Sequence, residues 1–523
     1  DLQRHAPLLA LRQQRHLGAG GLRVEARAGA GGVEQGDQRQ LHRRGAAAQG
    51  DLADALEAFV AQPHFVQRQV AAQQPLRIVL IDREDAPGRG VAYRDQPECH
   101  LLNVRAEAMS AFPDRPDHFL DWLNNAYSPC HPVGTTEYLP RRIYGFYVES
   151  LLAAAQQNAR RGVNLEFRSD EVLGLRQTSN GLNLRLRGGG SLRADRLVLA
   201  LGNPGPADPP LADQAFFASP RYLGQAWSTP GLYSVRPDEN LLLIGSGLTT
   251  LDWLAALQSL GHHGRIHVVS RRGLLPQLHR PAPPHALSFN PLELPAKVAP
   301  LLKRLRAEAR ALQAPGGDWR SVIDALRPYT QALWQRLPAA EQRRFLRHVR
   351  PYWEIHRHRA APRIVDSVYE LLRNGRLQVT AGRLQGFEER DGEVEVTLRP
   401  RLGREPLRLR VQRVVNCTGP ESNYRRLNHP LVVSLRERGL IQPDALGLGL
   451  QTDAHGALLD AEGRASERLH TLGPSRKGQL WETTAVPEIR IQAQALAVRL
   501  LRLTGADRHN DRRATADGPQ PSV

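Results

Sequence analysis

Cysteine is nearly absent from this chain: 523 residues carry three, Cys99, Cys130 and Cys417. Their spacing offers neither a metal-ligand pair nor a Cys-x-x-Cys, so neither zinc nor a secreted disulfide framework is implied and a disulfide-reductase centre is excluded. Long hydrophobic runs are missing too. No stretch approaches the ~18 to 20 apolar residues of a membrane span, and no apolar segment follows a charged start. A soluble cytoplasmic protein without a membrane partner is expected. Aromatics are few, at 6%, and are not interleaved with the basic residues, which are mostly scattered arginines. The net charge of +17, from 70 Lys and Arg against 53 Asp and Glu, thus comes without a nucleic-acid motif. No nucleic-acid partner is expected, and the charge is read as a field that attracts anionic cofactors and substrates.

What is present is concentrated in residues 241–257, LLLIGSGLTTLDWLAAL. Four apolar residues lead into a glycine turn, after which Leu248, Leu251, Leu254 and Ala255 recur at helical spacing. This pattern reads as a dinucleotide-binding βα turn; the bland alternative is a tight turn in another α/β domain. Gly245 permits the turn, Gly247 lets a pyrophosphate approach the backbone, and the helix offers unpaired N–H groups and its positive end. Thr250 stands where a third Gly or Ala usually packs. The next strand, residues 265–270 (RIHVVS), ends in Arg271 and Arg272. An acid there holds a ribose hydroxyl and a base accommodates a 2′-phosphate, so the pair favours NADPH over NADH.

A second strand, residues 76–81, ends in Asp82 and matches the second strand of another dinucleotide fold, with the carboxylate placed for a ribose. The glycine turn due about 20 residues earlier is missing, because no glycine falls between Gly50 and Gly88. Residues 1–74 are therefore expected to be an atypical segment, disordered or not native to the fold. Residues 88–93, 100–104 and 109–114 read as loops outside the core, residues 141–159 as a helix. Two β-meanders run into strand-to-glycine exits, at residues 197–202 and 413–420, which suggests two nucleotide domains, one inserted in the other. Between them, residues 296–348 carry helical periodicity. The cluster at residues 350–363, RPYWEIHRHRAAPR, reads as a basic turn, but it also gathers His356, His358 and Arg359, which can orient an anionic substrate.

In series, IVLIDRE, GRGVAY, HLLNV, MSAFPD, LALGNP, GSGLTTLD with SRRG, VVNCTGP and GQLWETTAVPEIRIQAQALA carry a resemblance. From about Pro75 to Leu503 the chain resembles the FAD/NAD(P)-binding flavoprotein monooxygenase family that includes bacterial FAD-dependent urate hydroxylase and an aspartate N-hydroxylase. The resemblance implies an α/β fold of two Rossmann-like domains. The FAD domain would take residues 75–210 and 405–505, and the NAD(P)H domain 211–404 with a helical insertion at about 296–350; a disordered tail would follow from 506 to 523. It further implies that Asp82 binds the FAD ribose, that Gly88, Gly90, His100 and Asn103 lie along the flavin, and that Gly202 and Gly419 mark strand exits near the nucleotides. Gly473 would close over the flavin with Pro487, whose helix aims its N-terminus at the isoalloxazine. Gly245, Gly247, Thr250, Arg271 and Arg272 would hold NADPH. The implied reaction is hydride transfer from NADPH to FAD, then reaction with molecular oxygen and delivery of one oxygen atom to a small-molecule substrate. That chemistry belongs to the cofactor, so no catalytic side chain is named. Urate hydroxylation to 5-hydroxyisourate is the leading expectation. The alternatives are N-hydroxylation of an amino acid or amine, and an NAD(P)H oxidoreductase without oxygen insertion.

Overall fold

The computed structural model describes residues 75–83, 88–403 and 405–516, with side chains to residue 503. Residues 1–74, and with them the expected atypical segment, lie outside the described residues. The elements used below are, in chain order, β1 (Leu76–Asp82), α1 (Arg141–Gln157), β2 (Val163–Ser169), β3 (Val172–Thr178), β4 (Gly181–Leu186), β5 (Ser191–Ala194), β6 (Leu197–Leu199), β7 (Tyr222–Leu223), β8 (Leu241–Ile244), α2 (Leu248–Ser259) and β9 (Ile266–Ser270). There follow α3 (Val298–Gln313), α4 (Trp319–Leu326), α5 (Thr330–Arg336), α6 (Ala339–Arg344), α7 (Arg350–Arg357), α8 (Pro362–Arg373), β10 (Leu377–Arg390), β11 (Glu393–Pro400), β12 (Leu407–Val411) and β13 (Arg413–Asn416). The last are α9 (Pro430–Glu437), β14 (Ala457–Leu459), β15 (Ala465–Thr471) and α10 (Val486–Ala516).

The unbroken apolar run of β8 makes it a central strand, since only a strand covered on both faces can carry one. Leu241, Leu242 and Leu243 are fully buried, and β8 lies in a seven-stranded sheet of order β12-β11-β10-β9-β8-β13-β7. The strands from β10 to β7 run parallel. The far half of β10 turns into an antiparallel meander with β11 and β12. Helix α2 covers one face, its Leu251, Leu254 and Leu257 packing in one core with Ile364, Val365 and Val368 of α8.

The second unit is assembled from both ends of the described chain. Strand β6 pairs in parallel with β15, Leu199 opposite Thr471, so residues on either side of the β8 unit meet in one sheet. That pairing makes the β8 unit an insertion. Strands β1 and β2 form a parallel pair, and Val79 and Ile81 of β1 pack against the core that holds Leu199 of β6. The architecture is thus two Rossmann-like units with a helical insertion.

Four expectations shift. The inserted unit runs past residue 404, because β12 and β13 hydrogen-bond into its sheet, β13 directly beside β8. The helical insertion continues to Arg357, so residues 350–357 are helix α7 rather than a turn. Residues 88–114 contain buried core: Leu102, Ala106 and Met109 pack with Phe119 and Tyr147. Helix α10 extends through Ala516, past Gly505 and into the segment expected to be disordered.

Candidate nucleotide-binding and active site

At the carboxyl end of β8 the backbone turns on Gly245, with φ +108°. A Cβ at Gly245 would lie 2.5 Å from the Cys417 carbonyl oxygen, because the exit of β13 crosses the turn. Gly245 is needed for both reasons. Thr250 is fully buried and its hydroxyl donates to the Gly245 carbonyl at 3.0 Å, so the third position of the fingerprint locks the turn. Around Gly247 the space is open, with nothing within 4 Å of its Cβ position. An anion set there would meet the free N–H groups of α2. Arg271, at the end of β9, is exposed. Arg272 instead donates to the Tyr352 hydroxyl at 3.2 Å and stacks on that ring. The basic pair therefore divides: Arg271 faces solvent, and Arg272 ties β9 to the helical insertion.

On the other unit, Gly202 and Gly473 follow the adjacent parallel strands β6 and β15, and Asp82 ends β1. These carboxyl ends are where open α/β sheets bind nucleotides. The hydroxyl of Thr483 donates to the Gly473 carbonyl at 3.0 Å, and the Gly473 N–H donates to Gln492 of α10 at 3.1 Å. Pro487 is the second residue of α10, whose Ile489 lies 3.8 Å from the position of a Cβ at Gly473. Gly88 and Gly90 flank Arg89, which is buried and paired with Glu149 of α1. Gly419 follows β13, in the sheet of β8, so its exit borders the Gly245 turn, and the Glu421 N–H just beyond it donates to the Gly205 carbonyl in the loop after Gly202 at 3.1 Å.

The two units meet at a buried ion pair between Arg141 of α1 and Asp252 of α2, 3.1 Å apart with side chains 11% and 7% exposed. Beside it, Asn103, Leu248, Ala360 and Ala361 surround a water-sized void of about 10 Å³. His100 is also buried here. Burial holds its imidazole below the usual range, against the pull of Asp252. Its Nδ1–H donates to Gln96 at 3.1 Å, which leaves Nε2 a buried acceptor with no donor among the described residues. That orphaned nitrogen, the open ground over Gly247 and the glycine exits at Gly202 and Gly473 fit a flavin on one unit and a pyridine nucleotide on the other.

The helical insertion folds over the segment after Gly473. Trp481 has φ +61°, and the Glu482 N–H donates back to the Leu480 carbonyl at 2.7 Å, which makes a strained γ-turn. The turn presents the Trp481 ring to Trp334 and Phe345, each 5.0 Å away. Glu482 is buried; Trp353 donates to it at 3.1 Å and Arg357 pairs with it at 3.4 Å. Burial pushes the Lys477 amine down, as it does the His358 imidazole.

The three substrate-orienting candidates do not converge. His358 faces the Glu482 group, whereas His356 donates to the Tyr352 carbonyl and lies edge-on to Trp319. Arg359 points elsewhere, into the junction described below. Sequence reasoning missed Arg141, Asp252 and the Trp481 turn, since partners 111 residues apart leave no local signal.

Residues 56–204 match a family described as FAD-NAD(P)-binding. This region spans β1 through β6 and so covers the first half of the unit holding Asp82 and Gly202. No curated protein matches the sequence. Among solved structures, the ornithine hydroxylase of Pseudomonas aeruginosa aligns over 86% of this chain and 96% of its own at 15% identity, with a TM-score of 0.56. The ornithine N-hydroxylase of Kutzneria sp. 744 gives 87%, 96%, 13% and 0.55. The cadaverine monooxygenase of Erwinia amylovora, solved with FAD, gives 87%, 92%, 15% and 0.56. At such identities the likeness is one of fold. The expectation of urate hydroxylation is corrected by these matches, whose solved proteins are hydroxylases of ornithine and cadaverine.

Proposed function

We propose that this protein is an FAD-dependent, NADPH-consuming N-hydroxylase of a small amine. The observation that carries the reading is the convergence of two nucleotide-binding edges on one buried seam, Arg141–Asp252, within a fold shared with amine hydroxylases. FAD, once reduced by NADPH, supplies the oxygen chemistry. The chain holds and shields. Asp82, Gly202 and Gly473 would seat FAD, and the N-terminus of α2 with Arg271 would bind the pyrophosphate and 2′-phosphate of NADPH. The wall of Trp334, Phe345 and Trp481 would exclude water from the flavin end. The test is NADPH oxidation by the purified chain with FAD and L-ornithine, L-lysine or cadaverine, with mass analysis of the amine. Substrate-dependent oxidation matched by a product carrying one more oxygen is expected. Oxidation that yields only hydrogen peroxide with every amine would leave a plain oxidoreductase.

A further inference from the structure

Arg359 is 4% exposed, yet two of its three guanidinium nitrogens, Nε and Nη1, have no partner among the described residues. Its one ion pair is with Asp324, whose side chain is half exposed. A buried cation left this short of acceptors needs an anion or water beside it. Its neighbours point the same way. His279 has a buried Nδ1 without a partner, and its imidazole is pushed down to about 4 by burial, then by Arg359 and Arg105. Tyr138 packs edge-on to His279 at 5.4 Å and hydrogen-bonds Arg105. Arg359 also acts electrostatically on Tyr138. Four donor-bearing side chains thus gather around one spot, and the anionic groups in reach are half-exposed: Asp324, paired with Arg359, and Glu107, 3.4 Å from Arg105.

The position gives this grouping its meaning. Arg105, Tyr138 and Arg359 belong to segments that, a few residues away, contribute Asn103, Arg141 and Ala360 to the lining of the void between the two nucleotide units. Short bridges, Leu101 with Pro140 and Leu278 with Ala360, hold these segments in place. An anion bound to Arg359 would lie beside the seam between the two nucleotide units.

We propose that Arg359, with Arg105, Tyr138 and His279, forms a carboxylate-binding site that selects an amino acid over a diamine as substrate. This rests on the N-hydroxylase reading for the identity of the ligand, but the anion site does not depend on turnover. A planar guanidinium matches a carboxylate with two parallel N–H donors, and a diamine brings a second cation to the same place.

The test is calorimetric binding to the full chain with FAD and NADP⁺ present. The probes are L-ornithine, L-aspartate and succinate as carboxylates, putrescine and cadaverine as diamines, and sulfate as an unrelated anion. At least one carboxylate is expected to bind, about tenfold or more weakened by R359Q and less by R359K, while the diamines show no binding that R359Q alters. R105Q, on a different segment, is expected to weaken the same carboxylate. The proposal is overturned if no carboxylate binds, if R359Q leaves carboxylate affinities unchanged, or if sulfate competes equally, which would mean an adventitious ion only. It is equally overturned if R359Q weakens NADPH but not NADH, because the anion would then be the cofactor's phosphate. Carboxylate binding that R359Q abolishes, without any hydroxylated product, would sustain the site and sink the N-hydroxylase reading alone.

Discussion

One methyl group at Gly245 is enough to block the nucleotide turn. The position combines φ +108° with the Cys417 carbonyl 2.5 Å from any Cβ, and backbone strain of this kind costs about 1–3 kcal/mol before the clash is counted. G245A is therefore expected to lower the melting temperature and to weaken NADPH binding by about tenfold or more, read by thermal unfolding and by fluorescence titration. Unchanged NADPH affinity would show that the turn does not hold the nucleotide. The arginine pair after β9 separates binding from stability in the same way. Arg271 is the exposed cation there, so R271A is expected to raise the Kd of NADPH about tenfold and leave NADH alone. Arg272 is occupied by Tyr352 and the Arg347 carbonyl. R272A should instead cost stability, on the order of 1 kcal/mol. If R272A alone discriminates the two cofactors, the roles are reversed.

Between elements, the Arg141–Asp252 pair joins α1 of one unit to α2 of the other across the seam. Both side chains are nearly covered, so removing one partner leaves a buried charge uncompensated, at a cost of about 3–5 kcal/mol, whereas replacing both by apolar groups is close to neutral. D252A is expected to lower the urea midpoint strongly and R141L/D252L to restore much of it; equal loss in both variants would make the pair a source of net stability. This contact was invisible in the sequence, and the reason is general to the chain. Features that repeat locally were legible: the apolar β8, the glycine turn, the helical periods of the insertion, the strand exits. Sheet membership was not, because β13 looks the same whether it pairs with β8 or β6, and only the register decides. The loops at residues 88–114 were misjudged because their buried residues, Leu102, Met109 and Phe112, fall at no regular period. The candidate site was legible in its nucleotide turns and illegible in its charged junction, whose members come from four separated segments.

Over the whole molecule, charge makes stability depend on pH in one direction. The chain carries +17 with its 19 histidines neutral, so every proton taken up adds to self-repulsion. His470 is fully buried, and its imidazole is held at about 4 by burial, with Arg499 and Arg196 pushing the same way against Asp453 and a backbone hydrogen bond at Arg468. His118 is likewise lowered to about 4, by burial and then Arg115. A group whose folded value lies below its unfolded value near 6.5 binds protons more readily when unfolded. Its contribution is fully present above about 6.5 and is lost as pH falls toward 4. The melting temperature is accordingly expected to hold near neutrality and to fall steadily from about pH 6.5 to 4. H470L replaces the titrating ring with an apolar side chain of similar bulk, so it should flatten that slope while leaving the fold intact at pH 7. A slope identical to the parent's would mean that His470 is already solvated or paired in the folded protein, and the acid sensitivity would then have to come from the other buried histidines.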